Sequence, residues 1–361
     1  MSDLGMDPGA RSGSDGASNP DRTHGADGNG AVDAGDVSDD IDVLVLGGAG
    51  VDTIVYVPEL PVPYADSHMI RPGIQTRAGQ TGDFVALGLH RLGLRTHHID
   101  MVGADPEGDL VRAFHRDHGI PFTEVPQPAG TKRAVNLVDP EGRRLSFYDA
   151  TRGHDDDRLP PATVKALAAR AGHAHVSLTQ PCAHALPLLR DAGLTVSTDL
   201  HNWDGHDSYH QPFAYEADIV FVSATALDDP VATLRDITGR GRASVAVATA
   251  GADGAWLLTG PDREPVHVPT VTPPAPVVDS NGAGDAFAAG FLYAWMVGEP
   301  VDRCARYGAV AGAYACTVPA TRADAIGRDA LLAGAGAGAG EPRTEQGDRA
   351  GGGRAGAGAG S

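Results

Sequence analysis

From about residue 162 to residue 248 the chain repeats one pattern: roughly ten residues with helical spacing, then a short β-branched or apolar run. The spacing predicts helix Ala162–Ala171 before strand His175–Leu178, and helix Cys182–Asp191 before strand Thr195–Asp199. A strand at Ala217–Val222, a helix at Val231–Thr238 and a strand at Ser244–Ala248 follow. Such alternation demands a parallel sheet with helices on both faces, because each crossover helix must return the chain to the same end of the sheet. Upstream, strands are expected at Ile41–Gly48, ending in glycines, and at Thr53–Val57 and Thr96–Val102, with helices at Asp83–Leu92 and Leu110–His118. Arg133–Asp139 and Arg144–Tyr148 read as a hairpin around Pro140-Glu141-Gly142. The hairpin and the residues after the first strand break the alternation. They predict a small β lid, about 51–76 and 131–152, hinged over the carboxyl ends of the sheet, where doubly wound folds bind ligands.

The ends differ in kind. Residues 1–40 hold nine Asp and two Arg and almost no large apolar side chain, and from Ala333 the chain alternates Gly and Ala. Neither stretch can bury enough apolar surface to offset its ordering entropy, so 1–40 and 333–361 are expected to be disordered. The formal net charge is −19, of which about −12 falls on the middle of the chain. That excludes nucleic acid and anionic membrane as main partners. Cys182, Cys304 and Cys316 form no CxxC pair, so no disulfide or zinc framework is expected. With no long apolar run and no basic-then-apolar start, the expected location is the cytoplasm.

The chemistry concentrates at Val277-Val278-Asp279-Ser280-Asn281-Gly282-Ala283-Gly284-Asp285-Ala286-Phe287. Val277 and Val278 read as an arriving strand and Asp285 as the start of a long helix. Gly282 and Gly284 allow a sharp turn that aims backbone N–H groups at one spot. A helix N-terminus there favours an anion. Asp285 would repel a phosphate unless it handles a proton or a metal. An anion cradle beside a base is what phosphoryl transfer to a hydroxyl requires.

This string resembles the second signature of the PfkB/ribokinase family of carbohydrate kinases, DTxGAGDxF, with Ser280 in the Thr place. The resemblance implies a ribokinase-like fold over about 41–325 and ATP-dependent phosphorylation of a hydroxyl on a sugar, nucleoside or related polyol. Asp285 would be the general base, and the N–H groups of Gly282, Ala283 and Gly284 would receive the transferring phosphoryl group. Arg77-Ala78-Gly79-Gln80-Thr81-Gly82-Asp83 is by itself a glycine turn capped by Asp83. It resembles the family's GGxxxNxA signature, with Ala78 for the first Gly and Asp83 for Asn, which makes Gly79 and Asp83 substrate-binding residues. Gly47-Gly48-Ala49-Gly50 lacks dinucleotide-loop spacing; in the family comparison Asp52, just after it, would accept hydrogen bonds from substrate hydroxyls. Val102-Gly103-Ala104-Asp105-Pro106-Glu107-Gly108 resembles a further family stretch, read as structural.

Thr249, Gly251 and Gly254 resemble the family's TxGxxG turn beside the nucleotide, and Ser223 and Asn281 are expected on the same side. The family's Asn-x-x-Glu after the preceding strand is missing its acid: Ser223 and Ala226 occupy those places, with Asp228 and Asp229 nearby. Asp279 then remains to order the water of Mg²⁺ or to meet a monovalent cation such as K⁺. His201, His206 and His210 match no standard metal spacing and read as a substrate-side loop. Lys132, Arg133, Arg143, Arg144 and Arg152 place cations on the lid, one of which is expected to meet substrate or phosphate. The lid also implies a homodimer interface. The alternatives are a non-catalytic sugar- or nucleotide-binding regulator on this fold, or an adenosine-type nucleoside kinase.

Overall fold

The computed structural model describes residues 40–336. The chain begins β1 (Ile41–Leu46), β2 (Val51–Tyr56), β3 (Gln75–Ala78), α1 (Thr81–Arg91), β4 (Thr96–Val102), α2 (Pro106–His118) and β5 (Phe122–Pro126). Next come β6 (Arg133–Val138), β7 (Arg144–Tyr148), α3 (Pro161–Ala168), β8 (Ala171–Val176), α4 (Gln180–Asp191), β9 (Thr195–Asp199) and α5 (Gln211–Glu216). It closes with β10 (Ile219–Ser223), α6 (Pro230–Arg240), β11 (Val245–Thr249), β12 (Ala255–Leu258), β13 (Val266–Val268), α7 (Ala283–Met296), α8 (Val301–Ala315) and α9 (Arg328–Gly336).

The main sheet runs β13-β12-β11-β10-β9-β8-β1-β4-β5. Among the described strands of this sheet only β12, next to the edge, runs against the others, pairing antiparallel with both β11 and β13. Strand β1 shows why both faces are covered. Val43 and Val45 point into a core with Leu87 of α1 and Phe291 of α7, while Leu44 and Leu46 point into a second core with Val164 of α3 and Leu186 of α4. Side chains alternate along a strand, so a run apolar at every position needs helices on each side. The second sheet, β3-β2-β6-β7, is the expected lid. Its hairpin pairs Val138 with Arg144 and Ala134 with Tyr148.

Several local expectations are corrected. Val277 and Val278 form no strand: both are exposed, and Val278 donates only to the carbonyl of Cys316, beyond the end of α8. Helix α3 stops at Ala168, and β8 starts at Ala171 because its ladder with β1 opens by pairing Ala171 with Ile41. Asp83 does not cap α1. Gln80 is the cap residue, and Asp83, three residues on, returns Oδ2 to the Gln80 N–H at 3.1 Å. Helix α7 likewise begins at Ala283 after Gly282 in the left-handed region (φ +73°), with Asp285 in its first turn. The ordered region also runs past 325. Leu331 and Ala335 of α9 are buried in the α7/α8 core, so residues 333–336 belong to a helix rather than to a tail. The rest of the two expected tails lies outside the described residues.

Candidate active site

A cavity of about 730 Å³ opens between the lid and the carboxyl ends of the main sheet. Asp52, Gly79, Lys132, Arg144, His201 and Asp285 are among the residues that line it. Lid and sheet meet there because β1 ends at Leu46 and the short turn at 47–50 leads into β2.

At one end lies the turn into α7. Asp279, 2% exposed, anchors it: Oδ1 accepts from the Asn281 N–H at 2.8 Å, and Oδ2 accepts from Tyr56 Oη at 2.8 Å and the Ala320 N–H at 3.1 Å. The geometry makes Asp279 a structural anchor rather than the expected metal-side group; its carboxylate is engaged by the protein and does not line the cavity. The Ala283 N–H donates to the Ser280 carbonyl at 3.3 Å. The N–H groups of Gly282 and Gly284 meet no acceptor among the described residues, and they sit at the N-terminus of a 14-residue helix. Two of the three expected N–H groups are therefore free for an anion, and Ala283 is already engaged. Asp285 follows them. Burial pushes its carboxyl up to about 7, opposed by His201 and reinforced by Asp199.

The expected substrate side is built on β2 and β3. Asp52 is largely buried, which raises its pKa, while the nearby Arg77 guanidinium opposes that rise. Arg77 Nη2 lies 4.0 Å from Asp52 Oδ2, and Gln80 Nε2 donates to Asp52 Oδ1 at 3.4 Å. Arg77 is itself held over the Phe84 ring, 4.6 Å from its centre, and donates to the carbonyls of Gly79 and Ala320. Gly79 lines the cavity, as expected.

Asp83 does not reach the cavity, and its expected substrate role is corrected. It is fully buried, with Oδ2 accepting from the Gly50 N–H at 3.1 Å. Buried Asp100 accepts from the neighbouring Ala49 N–H at 2.7 Å. Two carboxylates from within thus hold successive N–H groups of the glycine turn at 47–50, so these two donors are not free for a phosphate. Gly82 lets the helix approach that turn: a Cβ there would stand 1.9 Å from the Gly47 carbonyl oxygen.

Four of the five lid cations are neutralised internally. Lys132 pairs with Asp100, Arg133 with Glu107 and Asp149, Arg143 with Asp139 and Glu141, and Arg152 with Asp105 and Asp149. Arg144 instead donates to Asn281 Oδ1 at 2.7 Å, which ties the lid to the anion turn. Sequence reasoning did not separate it from its neighbours, because pairing depends on which acids the fold brings near.

On the expected nucleotide side, Ser223 and Thr249 are register partners at the ends of β10 and β11, and Gly251 and Gly254 follow. None of the four lines the large cavity. Asp229 caps α6 by accepting from the Ala232 N–H, and Asp228 lies outside the cavity lining, so neither replaces the acid missing at Ala226. Asp199, at the end of β9, is the carboxylate sequence reasoning missed. Its Oδ2 lies 3.5 Å from where a Gly284 Cβ would stand, and its Oδ1 accepts from the His201 N–H at 2.8 Å. His201 adopts φ +51°, unusual for a non-glycine residue, with Ser223 N–H donating to its carbonyl at 2.7 Å. His201 and His210 line the cavity, but they do not form a ligand cluster with His206.

Comparison with known proteins gives the fold and site a context. The pfkB family carbohydrate kinase pattern matches residues 40–326. The chain is 59% identical over 296 residues to an acarbose 7(IV)-phosphotransferase of Actinoplanes sp., covering 82% of this chain and 99% of that protein. It is 27% identical to a nucleoside kinase of Methanothermobacter thermautotrophicus, covering 77% of this chain and 90% of that protein. A solved structure of a microbiome-derived acarbose kinase superposes with a TM-score of 0.77 at 43% identity, covering 82% of this chain and 99% of that one. Ribokinase from Arabidopsis thaliana, solved with ribose and ATP, superposes at 0.68 with 19% identity and covers 82% and 99%, a likeness of fold alone. Among the described residues no helix is long and apolar enough to cross a membrane. With a ribokinase-like α/β fold, a separate lid and these relatives, the chain belongs to the pfkB family of carbohydrate kinases and is an ATP-dependent phosphotransferase acting on a sugar hydroxyl.

Proposed function

We propose that the sugar is acarbose or an oligosaccharide of its kind, and that Asp285 is the general base. The base assignment rests on one observation above all: a buried carboxylate beside two unpaired helix N-terminal N–H groups, at the wall of the large cavity. Asp285 in its ionised form takes the proton of the attacking hydroxyl as that oxygen bonds to the γ-phosphorus of ATP and the bond from this phosphorus to the ADP oxygen breaks, releasing ADP. The N–H groups of Gly282 and Gly284 receive the charge on the transferring phosphoryl group, each worth roughly 10²–10³ in rate by analogy with oxyanion holes. Asp52, steadied by Arg77 and Gln80, accepts from sugar hydroxyls. Arg144 closes the lid onto the turn and excludes water.

ATP arrives with Mg²⁺, which neutralises phosphate charge. Asp199 Oδ2 fits it: a hard oxygen beside the turn with no hydrogen-bond donor among the described residues. The substrate proposal is supported by the two acarbose-directed relatives and by a cavity within the range of about 300–1,000 Å³ that encloses a drug-sized ligand. Thr249, Gly251, Gly254 and Ser223 are proposed to flank the nucleotide at the neighbouring strand ends. A lid-mediated homodimer is also proposed. Val135 and Phe147, paired across β6 and β7, are exposed and do not line the cavity. Sedimentation of Phe147→Glu against the unaltered protein tests it, and an unchanged oligomeric state removes it. The ATP requirement also fits a cytoplasmic location.

The decisive experiment is ADP release with Mg-ATP over acarbose, ribose, fructose and adenosine, with Asp285→Asn alongside. Acarbose should give the highest kcat/KM, and the variant should lose most turnover while still binding both substrates. A higher kcat/KM on ribose or adenosine would overturn the substrate assignment. ADP formation by Asp285→Asn near the unaltered rate would overturn the base.

A further inference from the structure

Behind the cavity floor, three side chains from different elements converge on one point. Asp83 comes from the first turn of α1, His98 from β4 and His115 from α2, and the three are 0%, 0% and 3% exposed. Their near atoms form a small triangle. His98 Nδ1 lies 2.9 Å from His115 Nε2, and Asp83 Oδ1 lies 3.6 Å from the first and 3.5 Å from the second.

The outer atoms of the triangle are already committed. His98 Nε2 lies 2.9 Å from the Gly47 carbonyl, and His115 Nδ1 lies 2.9 Å from the Val111 carbonyl. A carbonyl only accepts, so each of those nitrogens carries the hydrogen. In neutral imidazoles the two facing nitrogens, His98 Nδ1 and His115 Nε2, are then both bare lone pairs. Asp83 Oδ2 is taken by the N–H groups of Gly50 and Gln80, whereas Oδ1 has no hydrogen-bond partner among the described residues. Three lone pairs thus face one another in a buried pocket with no donor among them.

A buried convergence of this kind needs a cation. A single proton shared by the imidazoles would satisfy two of the three atoms and leave Asp83 Oδ1 orphaned, since neither nitrogen is within hydrogen-bond distance of it. A proton on Oδ1 would meet no acceptor, for the same reason. One metal ion satisfies all three. The separations of 2.9–3.6 Å bracket the edge of about 3.3 Å of a tetrahedron whose ligands stand about 2.0–2.1 Å from zinc. Each imidazole also donates its second N–H to a backbone carbonyl, and the carboxylate is oriented by backbone N–H groups, which is the usual outer support of metal-bound histidine.

We propose that Asp83, His98 and His115 supply three ligands to a divalent cation of the zinc class, at a site separate from the phosphoryl-transfer centre. Imidazole and carboxylate suit zinc and its late first-row neighbours. The ion joins α1, β4 and α2. Through Asp83 it also steadies Gly50, two residues before Asp52, and so the shape of the cavity floor. The sequence offers no metal spacing here, because positions 83, 98 and 115 meet only through the fold.

The test uses the full chain, purified without metal-affinity steps or chelators. Elemental analysis should find about one zinc-class ion per chain. Asp83→Asn, His98→Gln and His115→Gln should each reduce it to below about a tenth. Replacement by Co²⁺ should give the visible d–d bands of a tetrahedral site. Stripping the ion with a strong chelator during mild denaturation should lower the melting temperature by about 5 °C or more, and Zn²⁺ should restore it. Because the substituted chains could misfold, the cobalt spectrum of the unaltered protein is the deciding measurement. Metal-free protein whose melting and spectrum ignore Zn²⁺ and Co²⁺ would overturn the proposal and leave a proton-held cluster. So would metal retained in full by folded variants, which would place the ion elsewhere.

Discussion

The pH dependence of phosphoryl transfer should carry the signature of one buried carboxylate. Burial, with Asp199 and Asp52 adding to it, pushes Asp285 up to about 7 against the pull of His201 and Arg144. With a midpoint near 7, about a tenth of the free enzyme holds ionised Asp285 at pH 6 and about nine tenths at pH 8, so kcat/KM should rise about tenfold between them. The assay is coupled ADP release from pH 5.5 to 8.5 at constant ionic strength, with both substrates well below KM so that the free enzyme is reported. Two variants move the midpoint in opposite directions. Asp199→Asn removes a charge that raises it and should shift the inflection down, while His201→Gln should shift it up. Stability supplies an independent arm. The carboxyl titrates near 7 when folded and near 3.8 when unfolded, so the folded protein keeps the proton longer. The contribution of this group to stability therefore falls as pH rises from about 4 to about 7 and stays low above that. The displacement corresponds to at most about 4 kcal/mol, so Asp285→Asn should melt higher than the unaltered protein at pH 8, with the gap closing near pH 4. A kcat/KM profile flat from pH 5.5 to 8.5, or Asp285→Asn melting lower at pH 8, would refute the reasoning.

Three further perturbations separate packing from chemistry. Gly82→Ala forces a Cβ against the Gly47 carbonyl and should cost about 1–3 kcal/mol, read as a lower urea midpoint; an unchanged midpoint means the turn yields freely. Phe291→Ala removes a fully buried ring that meets Phe221 edge-on at 5.2 Å and should cost about 3–5 kcal/mol in thermal unfolding, with specific activity kept by the folded fraction. Arg144→Gln breaks an exposed contact, so stability should change by less than about 1 kcal/mol, whereas the KM for ATP should rise about tenfold; equal KM values would detach the lid from nucleotide binding.

Much of this protein was legible along the chain. The run Ile41–Gly48, the strands Thr96–Val102 and Thr195–Asp199 and the hairpin around Pro140-Glu141-Gly142 emerged at or near their observed bounds, and the GAGD turn emerged as a helix N-terminus. These features depend on side-chain period and on turn residues, which act over a few positions. Others were not legible. Val277 and Val278 have strand-forming side chains but no neighbouring strand to pair with. Asp83 and Asp285 look alike in sequence, each in the first turn of a helix after a glycine-rich stretch. One points inward to a glycine turn and two histidines, and the other toward the cavity. Asp199 lacked any motif, yet it is the carboxylate that stands beside Gly284. Along the chain alone, the strand–helix alternation from 162 to 248, the lid hairpin and the anion turn were legible, whereas β3, β5, β12, β13, α5, α8 and α9 were not. Packing settled which carboxylates line the cavity, which hold backbone and which lid cations pair with acids, because burial and pairing are set by residues tens of positions away that meet only when the sheet and its helices pack.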